Sequence, residues 1–185
     1  MRSSLFFLSL LVPLASARLG FDTYQNVSVA QFKCMREKKY YFFIARVWNF
    51  VGQFNLRGME SIRYARAAGR SRNKQSALFG RLWFDIEVIE WPQNTADNDQ
   101  FIAIMANKAR GMGVQVGIYT KASDWHKITG DFMAESQSPL WWADNGRGTF
   151  DDFVPFGGWE RPMMRQTNGT EDGACGISYE TNWRP

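Results

Sequence analysis

The stretch Arg81-Leu82-Trp83-Phe84-Asp85-Ile86-Glu87 combines an apolar strand with two acids spaced two residues apart. Successive side chains of a strand point to opposite faces, so Asp85 and Glu87 share one face with Cα atoms about 6.5 to 7 Å apart. Leu82, Phe84 and Ile86 fall on the other face, and the segment reads as a buried strand. Downstream, Asp97 is suited to cap a helix on which Phe101, Met105, Ala109 and Met112 share a face. Gly111 and Gly113 end that helix, and Val114 to Thr120 forms the next strand. Strand, helix and strand in this order make a parallel βαβ unit.

The same alternation extends toward the N-terminus. Arg18 to Tyr24 reads as a first strand, and Ser28-Val-Ala-Gln31 is a capping box opening a helix that runs to about Lys38. Tyr40 to Trp48 is a second, aromatic strand, and the helix formers Gly58 to Ala68 stop at Gly69 before the polar run Arg70 to Gln75. Toward the C-terminus the predicted strands are Pro139 to Ala143, Met163 to Thr167 and Ile177 to Trp183, separated by Gly-rich loops with little helix. Apolar strands that read as buried on both faces fit an α/β, TIM-like (β/α) barrel. Such barrels gather their chemistry at the C-terminal ends of the strands. Asp22, Asp85, Glu87, Tyr119, Trp141 and Glu180 all fall at or near those ends.

Two acids facing one cavity do not both ionise cheaply. Repulsion and partial burial raise one pKa and leave the other group charged, the division a glycosidase requires between proton donor and charge stabiliser. The bare Asp-x-Glu pattern also occurs on solvated strand faces, so it does not establish catalysis by itself. His126 is the only histidine, which leaves a histidine triad one possible member, and no metal site or cofactor is expected. Trp91, Trp125, Trp141, Trp142 and Trp159 lie in or beside loops where sugar rings could stack.

Residues 1–17, a basic start followed by the apolar run Leu5 to Leu14 and Ala15-Ser16-Ala17, read as a secretory signal peptide. The remainder, 18–185, is of a size for a single domain with no membrane attachment, exported and monomeric. An extracellular setting, or a lysosomal or digestive vesicle, permits a disulfide between the only two cysteines, Cys34 and Cys175, with two buried thiols as the alternative. Asn26-Val27-Ser28 and Asn168-Gly169-Thr170 are glycosylation acceptors. The formal charge of +4 is carried by scattered Lys and Arg, densest at Arg36 to Lys39 and Arg70 to Lys74. Neither run is interleaved with aromatics, so nucleic acid is not an expected partner, whereas a mild positive field favours approach to an anionic wall.

Several short motifs occur in one order: Gly20-Phe21-Asp22, Ala65-Arg-Ala-Ala-Gly69, Leu82-Trp-Phe-Asp85-Ile-Glu87 and Val116-Gly-Ile-Tyr119-Thr120. Pro139-Leu-Trp141, Phe156-Gly-Gly-Trp159, Arg165-Gln166 and Asn182-Trp183 complete the series. Together they resemble the glycoside hydrolase family 25 lysozymes of the secreted animal and protist kind, across nearly all of residues 18–185. The resemblance implies an irregular eight-stranded barrel with few helices in its C-terminal half. It also implies cleavage of the β-1,4 bond between N-acetylmuramic acid and N-acetylglucosamine in bacterial peptidoglycan. By position Glu87 would be the general acid and base, Asp85 would stabilise the cationic species formed with the substrate's own acetamido group, and Asp22 would shape the charge of the site. Tyr119, Trp141 and Glu180 would contact substrate. A chitinase-type barrel fits less well, because it calls for aspartates where this chain has Trp83 and Gly80.

Two departures stand out. Only Arg70 to Gly80 separate the Ala-Ala-Gly helix end from the acidic strand, where the family has a further strand and helix, so the expected barrel is one βα unit short. Glu180 stands where the family usually has an aspartate. These departures keep open a catalytically impaired wall-glycan binder, or a truncated splice or gene-model form.

Overall fold

The computed structural model describes residues 17–48, 52–69, 80–88 and 90–185. Residues 1–16 of the expected signal peptide and the polar run Arg70 to Gln75 lie outside the described residues. The elements are β1 (Arg18–Thr23), α1 (Val29–Glu37), β2 (Tyr40–Ala45), α2 (Leu56–Ala68), β3 (Leu82–Asp85) and α3 (Thr95–Gly111). They continue with β4 (Val116–Thr120), α4 (Ala122–Thr129), β5 (Leu140–Trp142), β6 (Met164–Asp172) and β7 (Ser178–Arg184). Every predicted strand has a counterpart, with altered ends. β2 stops at Ala45, and Trp48 instead bridges Phe54, while β6 runs on to Asp172.

Seven strands form one sheet in the order β2-β1-β7-β6-β5-β4-β3. β1 pairs parallel with β2, and β3 to β6 pair parallel in succession, whereas β7 is antiparallel to both β1 and β6. The two edges, β2 and β3, are therefore consecutive in sequence and farthest apart in the sheet. The sheet curls strongly enough that Arg46, just after β2, comes within 3.9 Å of Asp85 at the end of β3.

Edge position corrects the expectation of strands buried on both faces. β4 and β5 are almost wholly buried, but every residue of β2 and β3 is at least partly exposed. A strand with one neighbour lacks the second flank that would cover its side chains. Each edge strand instead lays a ring over a glycine of its neighbour. Phe42 of β2 is in register with Gly20, and Trp83 of β3 with Gly117. A Cβ at Gly20 would sit 2.2 Å from the Phe42 ring, and one at Gly117 would sit 2.4 Å from the Trp83 ring. Only glycine allows these cross-strand pairs.

Two packed regions flank the sheet. Phe21, Val27, Phe32, Met35, Ile177 and Tyr179 form one beside β1 and β7, with Tyr40 and Phe43 of β2 against them. There Cys34 of α1 is disulfide-bonded to Cys175, in the 3-10 turn Ala174–Gly176. The other centres on Ile86, Ile102, Ile118, Trp125, Ile128, Leu140, Trp142 and Trp159. Four of the five tryptophans expected near loops are thus buried, at 0% exposure for Trp125, 5% for Trp141, 8% for Trp142 and 3% for Trp159. Trp91 packs partly buried against the same cluster. Their indole N–H groups explain part of this placement: Trp125 Nε1 donates to the Phe132 carbonyl at 3.0 Å and Trp159 Nε1 to the Ser138 carbonyl at 2.7 Å.

Helix starts follow cap chemistry. Ser28 and Gln31 make the reciprocal bonds of the capping box on α1, as expected. α3 is capped by Asn94 rather than Asp97, which falls in its first turn. Asn98, Ile102, Ala106 and Ala109 face inward, while Phe101 and Met112, expected on the inner face, are exposed. The buried Asn98 is a pin: its amide donates to the carbonyls of Pro92 and Ile128, both at 2.9 Å, tying the loop after β3 to the end of α4. No described helix is long and apolar enough to cross a membrane.

Candidate active site

The C-terminal ends of the parallel strands converge on one group of acids. Asp85 ends β3, and Glu87 lies two residues on, just outside the strand ladder. Backbone contacts hold that extension in place. The Ile86 N–H donates to the Tyr119 carbonyl at 2.9 Å, and the Ile86 carbonyl accepts from the buried Thr120 hydroxyl at 2.7 Å. With Ile86 packed into the core, Asp85 and Glu87 are both directed to the other face.

Asp22 approaches from β1, where it is in register with Glu180 of β7. Asn182 donates to Asp22 Oδ1 at 2.6 Å, while Glu180 accepts from the Gln166 amide and Tyr119 donates its phenol to Gln166 Oε1 at 2.9 Å. A polar chain thus runs from Tyr119 through Gln166 to Glu180, whose longer side chain is tethered rather than free. Trp141 is in register with Tyr119, with ring centroids 4.4 Å apart, and it also meets Trp83 edge-on at 5.8 Å. The Trp141 indole nitrogen is buried without a protein hydrogen-bond partner, as is Asn182 Oδ1.

The acids differ in what sets their charge. Burial pushes the Glu87 carboxyl up to about 7, helped by the Asp85 carboxylate beside it and a hydrogen bond between the two, with Asp124 adding to the effect and Lys121 opposing it. Asp85 is also raised by burial, but Arg46 and the bond from Glu87 pull it back. Burial pushes Asp22 up to about 7, against the opposing effect of its Asn182 bond. Burial, and then the surrounding carboxylates, keep Tyr119 a neutral phenol. Such a site can donate a proton at neutral pH and hold a negative charge beside the donor.

The six site residues expected from sequence, Asp22, Asp85, Glu87, Tyr119, Trp141 and Glu180, stand around this one rim. Sequence reading missed Arg46, and it noted Gln166 and Asn182 only as motif letters. A lone basic residue following an apolar strand was the available signal for Arg46. His126 is away from the acids, on α4, and pairs with Asp131 at 2.8 Å. Asn26, an expected glycan acceptor, donates from its amide to Glu60 at 2.9 Å, and the side chain of Asn168 lies outside the described residues.

Comparison with known proteins bears on this geometry. Residues 70–167 match the family described as Lysozyme-like protein 1. Lysozyme-like protein 5 of Caenorhabditis elegans is 32% identical over 212 aligned positions, covering 97% of this chain and 99% of its own. Probable GH family 25 lysozyme 4 of Dictyostelium discoideum is 33% identical, covering 90% of each chain. Among solved structures, a family GH25 lysozyme from Aspergillus fumigatus aligns with a TM-score of 0.63 at 16% identity, covering 92% of this chain and 94% of its own. A bacterial lysozyme from Streptomyces coelicolor aligns with a TM-score of 0.64 at 17% identity, covering 91% and 92%. The mixed α/β fold with its curled sheet is the fold of these structures, and by its full-length sequence relatives the chain belongs to the glycoside hydrolase family 25 lysozymes.

Proposed function

We propose that this protein is a lysozyme, an N-acetylmuramidase that hydrolyses the β-1,4 bonds of bacterial peptidoglycan with Glu87 and Asp85. The observation that carries this reading is the unequal pair at the end of β3: Glu87 holds its proton to about neutrality, and Asp85 faces a guanidinium. In this mechanism Glu87 donates its proton to the glycosidic oxygen as that bond breaks. The substrate's acetamido oxygen closes onto the anomeric carbon, and the Asp85 carboxylate stabilises the cationic ring that results. Glu87, now a base, takes a proton from the water that opens the ring. Asp22 sets the charge behind this pair. Tyr119, Trp141 and Glu180 contact the sugars, the buried indole N–H of Trp141 being a donor that a sugar hydroxyl would satisfy.

The architecture is a TIM-like barrel one βα unit short. Its support is the position of the two free sheet edges, which flank the shortened stretch between α2 and β3. The nematode relative adds to it, since that alignment needs 212 positions against a chain of 185 residues. Residues 18–185 act as one monomeric domain, exported after removal of residues 1–17, for defence or digestion outside the cell or in a lysosomal or digestive vesicle.

The test is release of reducing ends and loss of turbidity with bacterial walls as substrate. Glu87→Gln should lower the rate at least about 1,000-fold, roughly 4 kcal/mol of barrel-held catalysis, with the melting temperature undiminished. Undiminished lysis by Glu87→Gln would exclude this assignment. A second reading, a wall-glycan binder without turnover, draws on the half-exposed Asp85 at an open sheet edge. It predicts retention on insoluble peptidoglycan with no reducing ends from the parent protein.

A further inference from the structure

Arg46 stands at a place where the sheet has no backbone continuity. Among the described residues, β2 is hydrogen-bonded only to β1, and β3 only to β4. The one ion pair between the described ends of these two strands is Arg46 Nη2 to Asp85 Oδ2, at 3.9 Å. Arg46 also lines a small cavity of about 50 Å3 together with Asp22, Tyr24 and Glu180, so its charge faces acids of β1 and β7 as well as Asp85 of β3.

Magnitude decides what this contact does. Both side chains are about half exposed, 51% for Arg46 and 47% for Asp85. An ion pair so exposed contributes little to stability, too little to hold a barrel closed. The charge itself has more effect, because several acids compete for few counter-charges. Asp22 and Glu180 face the site from β1 and β7, Asp85 and Glu87 from β3, and Asp124 from α4. Lys121 acts on Glu87 and pairs with Asp124 at 3.6 Å, and Tyr119 of β4 is neutral. Arg46 is the cation that acts on both Asp22 and Asp85.

We infer that Arg46 is a positioning residue for the hydrolysis proposed above: reaching across the gap between β2 and β3, its guanidinium keeps Asp85 ionised and aimed into the site, so that the proton is left on Glu87. The role rests on the muramidase reading for its purpose, but the charge on Asp85 is measurable without turnover. It also assigns a task to the loop after β2: in this shortened sheet a side chain spans the interval that backbone pairing does not.

The experiment compares the full chain with Arg46→Met and Arg46→Lys by carbon-13 NMR titration of the Asp85 carboxyl, by the pH dependence of reducing-end release, and by thermal melting. In Arg46→Met the Asp85 midpoint should rise by about one pH unit, as expected for loss of an opposite charge at this range. The acidic limb of the rate profile should move up with it, lowering kcat about tenfold on that limb while KM changes less than twofold. Arg46→Lys should restore most of the shift, and both variants should melt within a few degrees of the parent. An unmoved Asp85 titration in folded Arg46→Met would overturn the inference. So would a Lys variant as impaired as Met with an unshifted profile, since that pattern belongs to shape and not to charge. If the parent itself releases no reducing ends, the muramidase reading fails, and the NMR titration still decides the charge relation.

Discussion

The two sides of the curled sheet are stabilised differently. Beside β1, β2 and β7, aromatic rings meet edge-on or tilted around Phe21, and a disulfide joins α1 to the turn before β7 across 141 positions of sequence. Beside β3, β4 and β5, closely packed Ile, Leu and Trp side chains act without a covalent link, helped by hydrogen bonds from Trp125 and Trp159. The proposed proton donor and its charged neighbour belong to the second side, while Asp22 and Glu180 belong to the first. The site is therefore a seam between two differently built halves, continuous through β6 and β7 on one flank and spanned by Arg46 on the other.

The largest effect should come from emptying the uncrosslinked half. Trp125 is completely buried, so Trp125→Ala should cost about 3 to 5 kcal/mol in urea unfolding. A cost below 1 kcal/mol would mean that this half does not depend on close packing. Next, replacing both Cys34 and Cys175 with Ser should cost about 2 to 5 kcal/mol, given the long loop the bond closes. Amide exchange should then accelerate most in α1 and the 3-10 turn, and an equal acceleration in β4 and β5 would merge the two halves into one cooperative unit.

The seam itself should show in the pH dependence of stability. Glu87 and Asp22 have folded pKa values near 7, above the range of the unfolded chain. The native state therefore binds more protons than the unfolded one between about pH 4 and 7, and these groups lower stability as pH rises through that window. The melting temperature should be higher at pH 5 than at pH 8. Glu87→Gln should recover about 1 to 2 kcal/mol at pH 8, a figure reduced for partial exposure; a destabilised variant would mark Glu87 as a structural residue. The smallest effect is local to the crosslinked half: Ser28→Ala removes one side of the capping box on α1 and should cost about 1 kcal/mol in thermal unfolding.

Local chemistry made much of this legible in advance. Apolar runs located all seven strands, and the Ser28 capping box located the start of α1. The two acids at one rim followed from strand alternation alone. What sequence left hidden was set by distant partners. The exposure of β2 and β3 depends on which strands lack a neighbour, and a strand's own residues do not record that. Trp125 and Trp159 turn inward where carbonyls seven and twenty-one positions away accept their indole protons. Asn182 meets Asp22 across 160 positions, a pairing no local pattern carries. The inward face of α3 is chosen by what it packs on, Ile102 on the core around Ile118 and Ala106 and Ala109 on Val116, which the helix's own residues do not record.

The double anchoring of Ile86 has a consequence for how this molecule can vary. Glu87 lies beyond the ladder, yet the residue before it is fixed through its N–H, its carbonyl and its packed side chain. Orientation of the proposed proton donor is thus settled upstream of Val88. The next fixed points are Trp91, packed against the core, and Pro92, whose carbonyl accepts from Asn98. Substituting residues 88–90, ahead of those anchors, should accordingly alter which glycans are accepted more than how fast an accepted one is cut.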